Sequence, residues 1–356
     1  MMLTKQDYVR YARQIKLHEV GEAGQLKLKH ARVLCVGAGG LGSPLLQYLA
    51  AMGVGTLGVI DHDRVDVSNL HRQILFNEND VGSSKALVIK HKLLLLNPEV
   101  LINAYDERLD AENAQNLMSE YDLIVDCSDN FATRYLINDA CLQLKKPFIS
   151  ASIHGFKGQI GVFIPHEGAC FRCIFPSIEG VIPDCNDNGV MNVLPGVLGL
   201  LQATEVMKYL IDLPGKLINQ MMMIDLLTMQ FDVVALSRNP DCDFHDRPVS
   251  LFNQAETCTV DQLTTMTPAE LKEKMERGDE MILLDVRSFA EHHRGAIGTF
   301  CIPLNQLPAR LDELDPSKDI IVYCQAGVRS EYAVEFLKSA GFERVSHLAG
   351  GMNGWS

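Results

Sequence analysis

Cys324 opens the stretch Cys-Gln-Ala-Gly-Val-Arg-Ser, which runs to Ser330. The residues before it, Ile320 to Tyr323, predict a short buried strand, and Ala333 to Leu337 begin an amphipathic pattern that predicts a helix. A cysteine at a strand end, entering a tight loop that leads into a helix, sits in a ring of backbone N–H groups. Such a nest stabilises an anion. Arg329 adds a positive charge. Both effects should favour the thiolate, the nucleophilic form, and would hold a persulfide anion in the same way. The alternative is a buried structural cysteine. The glycine and arginine at loop spacing favour a reagent, with Cys324 and Arg329 as its catalytic residues.

A second chemical loop lies near the N-terminus. Gly37-Ala38-Gly39-Gly40-Leu41-Gly42 matches the pattern G-x-G-x-x-G between a predicted strand, Ala31 to Gly37, and a predicted helix, Ser43 to Met52. Its glycines let the backbone approach a phosphate, and the helix N-terminus attracts the charge. Asp61 ends the next strand, where an acid holds ribose hydroxyls in such folds. Those features alone describe a nicotinamide or flavin dinucleotide enzyme. The residues that follow shift the choice. Asp63, Asn69, Arg72 and Gln73 lie just beyond the strand, Lys85 opens the next helix, and Asp129-Asn130 follow a third strand, Leu123 to Asp126. A dinucleotide has little use for extra cations there. A triphosphate needs charge neutralised as pyrophosphate leaves, a task that suits Arg72 and Lys85. Asp129 could hold Mg²⁺. Taken singly, Arg72 and Lys85 would be ordinary surface charges.

Cys170-Phe171-Arg172-Cys173 is a C-x₂-C pair, and Cys242-Asp243-Phe244-His245 is a C-x₂-H pair. Together they supply four ligands for a structural, tetrahedral Zn²⁺. The alternative is that His245 is solvated and no metal binds. Cys185 lies in the polar segment Pro183-Asp184-Cys185-Asn186-Asp187-Asn188-Gly189, where its acidic neighbours disfavour a thiolate. Cys35, Cys127, Cys141 and Cys301 fall in apolar strand or helix patterns and are expected in the core. Cys258 is given no role.

These loops need elements to hold them. Residues 1–30 read as helical, and strand, glycine loop, helix and strand then follow in the order that starts a doubly wound α/β sheet. Lys146 to Ser150 lead into a further strand, and Leu198 to Leu210 read as a helix. The stretch from Arg238 to Thr267 is polar, and its later part reads as a linker. A second α/β pattern begins near Thr267. The expected division is 1–250, a linker at 251–265, and 266–356. The 356 residues carry a net charge of −13, which disfavours nucleic acid and anionic membrane as partners. No apolar run is long enough to span a bilayer, and the first residues lack a signal-peptide core. Ten cysteines without a secretion signal fit catalysis or metal binding in a reducing cytoplasm better than a disulfide scaffold.

Two family resemblances emerge from these motifs. Residues 1 to about 250 resemble the MoeB/ThiF family, prokaryotic relatives of ubiquitin-activating enzymes. The matching text is Arg10-Tyr11-Ala12-Arg13-Gln14, the loop Gly37 to Gly42, Asp61-His62-Asp63, Ser68-Asn69-Leu70-His71-Arg72-Gln73, Lys85, and Asp126-Cys127-Ser128-Asp129-Asn130. The resemblance implies a Rossmann-like domain that uses MgATP to adenylate the C-terminal Gly-Gly of a ubiquitin-like sulfur-carrier protein. It gives Asp61 the ribose, Arg72 and Lys85 the phosphates, and Asp129 the part of magnesium-linked catalytic acid. Arg13 would reach the partner's active site in a homodimer, and Cys185 would sit on a mobile loop over the adenylate. The family has C-x₂-C in both knuckles, so His245 is a departure. From about Thr264 onward the chain resembles rhodanese-type sulfurtransferases. The Cys324 loop, Asp285-Val286-Arg287 and Gly350-Gly351-Met352-Asn353-Gly354-Trp355 carry that likeness, while Arg294-Gly295-Ala296 departs from it. Together the two halves imply a thiocarboxylate-forming enzyme that takes sulfur from a cysteine desulfurase or thiosulfate. The pathway would be molybdopterin, thiamine, cysteine or thiolated-tRNA synthesis. A dinucleotide-dependent oxidoreductase and a non-catalytic carrier-binding protein are the competing readings.

Overall fold

The computed structural model describes residues 2–164, 167–175, 189–240, 242–245, 265–287, 289–325 and 327–355. The chain divides into two compact units, one formed by the N-terminal residues up to about 250 and one by the C-terminal residues. Residues 251–264 of the expected linker lie outside the described residues, and its last residue, Thr265, already belongs to a strand.

In the first unit, helices α1 (Lys5–Arg10), α2 (Ala12–Ile15) and α3 (Gly21–His30) precede β1 (Arg32–Val36), α4 (Gly42–Met52) and β2 (Thr56–Ile60). Then come α5 (Lys85–Leu96), β3 (Leu101–Tyr105), α6 (Ala114–Ser119), β4 (Leu123–Asp126), α7 (Phe131–Leu144) and β5 (Phe148–His154). The unit continues through β6 (Lys157–Phe163), α8 (Phe171–Ile174), α9 (Leu194–Ile211), β7 (Gln220–Asp225) and β8 (Gln230–Ala235). One sheet of order β3-β2-β1-β4-β5-β6-β7-β8 holds it together. Strands β1 to β5 run parallel, as the doubly wound expectation requires. The remaining pairings are antiparallel: β5 turns straight into β6 without a crossover helix, and β7 and β8 follow after α9.

β1 and β4 lie at the centre, and Val33, Leu34, Cys35, Leu123, Ile124 and Val125 are fully buried there. Helices on both faces explain their near-continuous apolar sequence. The chain order reverses between β1 and β4, and the C-terminal ends of parallel strands at such a switch point form a ligand crevice. Helix α9 starts at Leu194, earlier than its apolar pattern suggested, with Pro195 in the first turn. A proline costs little there, since that N–H has no intrahelical partner.

The second unit is a parallel sheet of order β11-β10-β12-β13-β9, built from β9 (Thr265–Met266), β10 (Met281–Asp285), β11 (Phe300–Cys301), β12 (Asp319–Tyr323) and β13 (Val345–Leu348). Its helices are α10 (Pro268–Arg277), α11 (Phe289–Arg294), α12 (Val328–Ser339) and α13 (Gly351–Trp355). The start of α10 is set by local chemistry. Thr267 and Glu270 exchange capping hydrogen bonds, and Pro268 follows the cap. Alternate residues of β12 serve opposite cores. Ile320, Val322 and Cys324 face one cluster, and Ile321 and Tyr323 the other. Among the described residues no helix is long and apolar enough to cross a membrane.

Candidate functional site

The glycine loop occupies the turn from β1 to α4. Gly37 has φ +95°, and a Cβ there would stand 2.7 Å from the Cys127 carbonyl oxygen. Only glycine fits a left-handed backbone pressed this closely against β4's exit. The loop is tied to β2 by Asp61, whose carboxylate accepts the Ala38 N–H at 2.7 Å and the Asp63 N–H at 2.8 Å. Burial raises the Asp61 pKa above the ordinary value, against the pull of Lys85 and the two N–H donors. Lys85 is buried at the first turn of α5, its Nζ 2.7 Å from the half-exposed Asp63 carboxylate. Arg72 donates to the Ser68 carbonyl at 3.1 Å, and its own carbonyl lies beside Gly40. Asn69 accepts the N–H groups of Arg72 and Gln73 at 3.0 and 2.9 Å through its backbone carbonyl.

Gln73 is buried with its Nε2 beside Gly39, and its Oε1 has no hydrogen-bond partner among the described residues. A buried amide oxygen without a partner costs about 1–3 kcal/mol. An orphan acceptor beside a glycine cradle fits a ligand that brings a donor, such as a nucleotide hydroxyl or amino group. The loop residues Gly37, Gly39, Gly40, Leu41 and Gly42, with Asp61, Asp63, Asn69, Arg72, Gln73 and Lys85, thus converge at the ends of β1 and β2. Asp129 is exposed beyond β4. Asn130 beside it caps α7, its side chain accepting the Thr133 N–H at 2.8 Å.

Sequence reasoning missed what steadies this third strand end. The fully buried Asp126 accepts the Ser128 N–H at 3.0 Å, the Ser128 Oγ–H at 2.6 Å and the Ser150 Oγ–H at 2.6 Å. Arg134 from α7 donates to the Ser128 carbonyl at 2.9 Å, and Gln202 from α9 donates to the Asp126 carbonyl at 2.8 Å. Asp126 and Ser128 had surfaced only as text of a family motif, and Ser150 only at the start of a strand. Arg134 and Gln202 sit in helical patterns that carry no sign of their partners.

The four expected metal ligands do come together. Cys170 Sγ lies 3.7 Å from Cys173 Sγ and 3.8 Å from Cys242 Sγ, and Cys173 Sγ lies 3.1 Å from His245 Nε2. All four ligand atoms lie within 4.8 Å of one another. Zn–S bonds of about 2.3 Å at a tetrahedral angle separate two sulfurs by about 3.8 Å, so the donor set fits zinc. Burial first, then the neighbouring Cys173 and Cys242, push the Cys170 thiol well up. Thiols this crowded ionise together only around a cation. The intervening residues proved structural. Arg172 donates to both oxygens of Asp139 at 2.7 Å, and its guanidinium lies between the Tyr135 and Phe244 rings at 4.2 and 4.3 Å. It thereby clamps both knuckles onto α7. Cys185 lies outside the described residues. Cys35, Cys127 and Cys141 are buried, as expected.

In the second unit Cys324 leaves β12 fully buried, and its Sγ accepts the Gly327 N–H at 3.1 Å. Gly327 has φ +101°, which a residue with a Cβ would adopt only under strain. Ser330 Oγ lies 3.6 Å from the sulfur and donates to the Gly327 carbonyl at 2.7 Å. The C-terminal Gly-Gly-Met-Asn stretch is the loop's buttress: Met352 N–H donates to the Cys324 carbonyl at 2.8 Å and Asn353 N–H to the Gln325 carbonyl at 2.9 Å.

The sequence reading expects Arg329 to lend a charge to the sulfur. Its guanidinium donates to both oxygens of Glu291, at 3.1 and 2.9 Å. Arg287 is likewise forked on Asp285 and donates to the Gln325 side-chain oxygen at 3.0 Å. Cys301 departs from its expected place in the core. It is half-buried beside Asp285 and His292 rather than in the core, and burial raises its thiol to about 11. Arg287 and His292 already occupy the Asp285 oxygens, which makes this cluster an ion-pair core rather than a metal centre.

Comparison with known proteins agrees with this geometry. The sequence matches the ThiF family over residues 11–244 and the rhodanese-like domain over residues 267–356. It is 47% identical over 251 residues to a sulfur carrier protein adenylyltransferase of Thermus thermophilus, covering 68% of this chain and 92% of the relative. It is 35% identical over 371 residues to the probable adenylyltransferase/sulfurtransferase MoeZ of Mycobacterium tuberculosis, covering 99% of this chain and 94% of the relative. The crystal structure of E. coli MccB with ATP superposes with a TM-score of 0.59 at 25% identity, over 67% of this chain and 72% of that one. A glycine cradle at the switch point of one unit and a nested cysteine in the other therefore have a common explanation: this chain belongs to the ThiF family, in the form joined to a rhodanese-like domain, and is an adenylyltransferase and sulfurtransferase.

Proposed function

We propose that the first unit adenylates the C-terminal Gly-Gly carboxylate of a ubiquitin-like sulfur-carrier protein with ATP, and that a persulfide on Cys324 then converts the acyl-adenylate into a thiocarboxylate. The observation that carries the reading is the glycine cradle with the buried Gln73 oxygen, which has no partner among the described residues, and two nearby cations, Lys85 and Arg72. Asp61 takes the ribose. Lys85 moves from Asp63, and Arg72 from a carbonyl, onto the phosphates. There they offset charge as the carrier carboxylate attacks the α-phosphorus and pyrophosphate leaves with the bonding electron pair. Asp129, steadied through Asp126 and Arg134, would hold Mg²⁺, which supplies further positive charge at the phosphates.

The terminal sulfur of the Cys324 persulfide next attacks the acyl carbon and AMP leaves, giving an acyl disulfide. A second thiol attacks the Cys324 sulfur, and the thiocarboxylate departs with the electron pair. Cys185 is assigned that later role. A cysteine desulfurase or thiosulfate supplies the persulfide sulfur, and zinc on Cys170, Cys173, Cys242 and His245 is structural. Arg13 is exposed on α2 and is assigned to the active site of a partner subunit. Two apolar faces support partners for this unit: Leu87, Leu94 and Leu95 on α5, and Phe231 and Val233 on one face of the edge strand β8, are exposed.

The test is ATP–pyrophosphate exchange with and without a carrier ending in Gly-Gly. Exchange should require the carrier and its intact C-terminus. Mixing Arg13→Ala with Asp129→Ala chains should restore part of the activity, since each mixed dimer then contains one intact composite site. Binding of the carrier without exchange would leave a non-catalytic adaptor, and a co-purified nicotinamide or flavin would favour the oxidoreductase.

A further inference from the structure

Helix α9 runs beside two parts of the nucleotide site. Three of its buried residues, Pro195, Gly199 and Gln202, are spaced four and three apart and so share one face. Pro195 packs on the glycine loop: a Cβ at Gly40 would stand 2.9 Å from the Pro195 Cβ. Gly199 lets the helix press on the next residue of that loop, since a Cβ at Gly199 would stand 2.5 Å from the Leu41 carbonyl oxygen. Gln202 reaches the end of β4 instead. Its Nε2 donates to the Asp126 carbonyl at 2.8 Å, and its Oε1 accepts the Cys127 thiol at 3.4 Å. Gln202 is fully buried, on a helix whose other core positions are mostly apolar. A leucine would fill that position with no polar groups to desolvate, so packing alone does not call for an amide. Three residues further on, the exposed Asp129 carboxylate accepts only the Asn130 Nδ2–H, at 3.4 Å, among the described residues. Its place is therefore set by the backbone that leads to it.

We infer that Gln202 is a positioning residue of the adenylation site. Through Gln202, α9 fixes the end of β4; through Pro195 and Gly199 it fixes the glycine loop. One helix thus sets the distance between the phosphate cradle and the Asp129 carboxylate assigned to Mg²⁺. The inference rests on the adenylation reading of the first unit. The other side chains on this strand end, Ser150 and Arg134, come from β5 and α7, whereas Gln202 comes from the helix that also packs on the glycine loop. Without the amide, the Asp126 carbonyl and the Cys127 thiol both lose a partner, and the backbone from Asp126 to Asp129 is free to shift against the cradle. Fixed charges stabilise a transition state only when their distances are set in advance.

The experiment uses the full chain and a carrier ending in Gly-Gly. Each variant is measured well below its melting temperature. The readings are the maximal rate of pyrophosphate exchange, the half-saturating Mg²⁺ concentration, and ATP binding by calorimetry with Mg²⁺ or with a chelator in its place. Gln202→Met removes both polar ends at nearly the same length. It should lower the maximal rate about ten- to hundredfold, the scale of a displacement of up to about 1 Å near reacting atoms. The half-saturating Mg²⁺ concentration should rise about three- to fivefold, the scale of one lost hydrogen bond. ATP binding in chelator should not change, because the glycine cradle keeps its own contacts, while Mg²⁺ should tighten ATP binding less than in the wild type. Gln202→Asn keeps the amide but is one methylene too short to hold both partners. It should move the same readings less far, and it carries the test should Gln202→Met not fold. Glu205 is the control on the same helix: it is buried, and accepts the Leu217 N–H at 2.9 Å and the Lys208 Nζ at 2.6 Å. Glu205→Gln should lower the melting temperature and leave every nucleotide reading unchanged. A folded Gln202→Met chain with the wild-type rate and Mg²⁺ requirement, an equal loss of ATP binding in chelator, or the same changes in Glu205→Gln overturns the inference and leaves adenylation standing. Absence of carrier-dependent exchange in the wild-type chain overturns the adenylation reading itself, and the inference with it.

Discussion

The two chemical loops share an architecture and differ in what their cations are doing. Each leaves a central buried parallel strand, β1 or β12, passes through a glycine with positive φ, and enters a helix. At the first loop Lys85 touches one oxygen of an exposed carboxylate, and Arg72 touches a carbonyl. These are single contacts that a phosphate can replace. At the second loop Arg329 and Arg287 each hold a carboxylate through two N–H groups. Bidentate pairs of this kind are the strong ones. On the proposed function, the same strand-loop-helix element would serve a polyanion where its cations are loosely held and a lone sulfur anion where they are locked.

The comparison breaks first at Cys324. Cys324→Ala should abolish persulfide formation, read by mass after exposure to donor, while pyrophosphate exchange continues at the wild-type rate. A Cys324→Ala chain that still delivers sulfur would make the second loop a docking feature. The next largest effect tests the first loop. Arg72→Ala and Asp129→Ala should each slow carrier-dependent exchange by about 10²–10³-fold, the usual loss for one well-placed charge contact in a transition state. Near-normal exchange in both would show that the loosely held charges are not there for phosphate.

A third test asks whether a locked pair is truly structural where it stands clear of either loop. Arg172→Ala would leave Asp139 buried without its partner, which costs about 3–5 kcal/mol. It should lower the melting temperature and loosen zinc, measured as metal per chain after dialysis against a weak chelator. Unchanged metal content and melting temperature would remove the clamp from the account of the knuckles. The smallest effect comes from the far end of β12. Arg344 first, and then Lys274, hold the Asp319 carboxyl below its ordinary pKa against burial. A folded-state value below the unfolded one adds stability above the unfolded pKa, and that stability is lost as pH falls through the folded value. Asp319→Asn should therefore cost about 0.2–1 kcal/mol near neutrality, as partly exposed pairs do. The gap between the thermal melts of the two proteins should narrow as pH falls below the ordinary carboxylate value of about 4. A constant gap across pH would assign the loss to packing.

The residue types at each loop, the ligand set Cys170, Cys173, Cys242 and His245, and the parallel β–α order were legible because each is a local pattern. Glycine at positive φ, a C-x₂-C spacing and a buried apolar strand leave their mark within a few residues. The antiparallel half of the large sheet was not legible. Strands β6 to β8 differ from parallel strands in their partners and not in their composition, and β8 exposes residues on both faces. Charge pairing was hidden for the same reason. Arg329 and Glu291 are 38 residues apart, and Arg172 and Asp139 are 33 apart. The sequence by itself determined which atoms are present to do chemistry. Tertiary structure decided which charges are spent on holding the protein together and which remain for a substrate, since an ion pair depends on distance and burial, and neither is written along the chain.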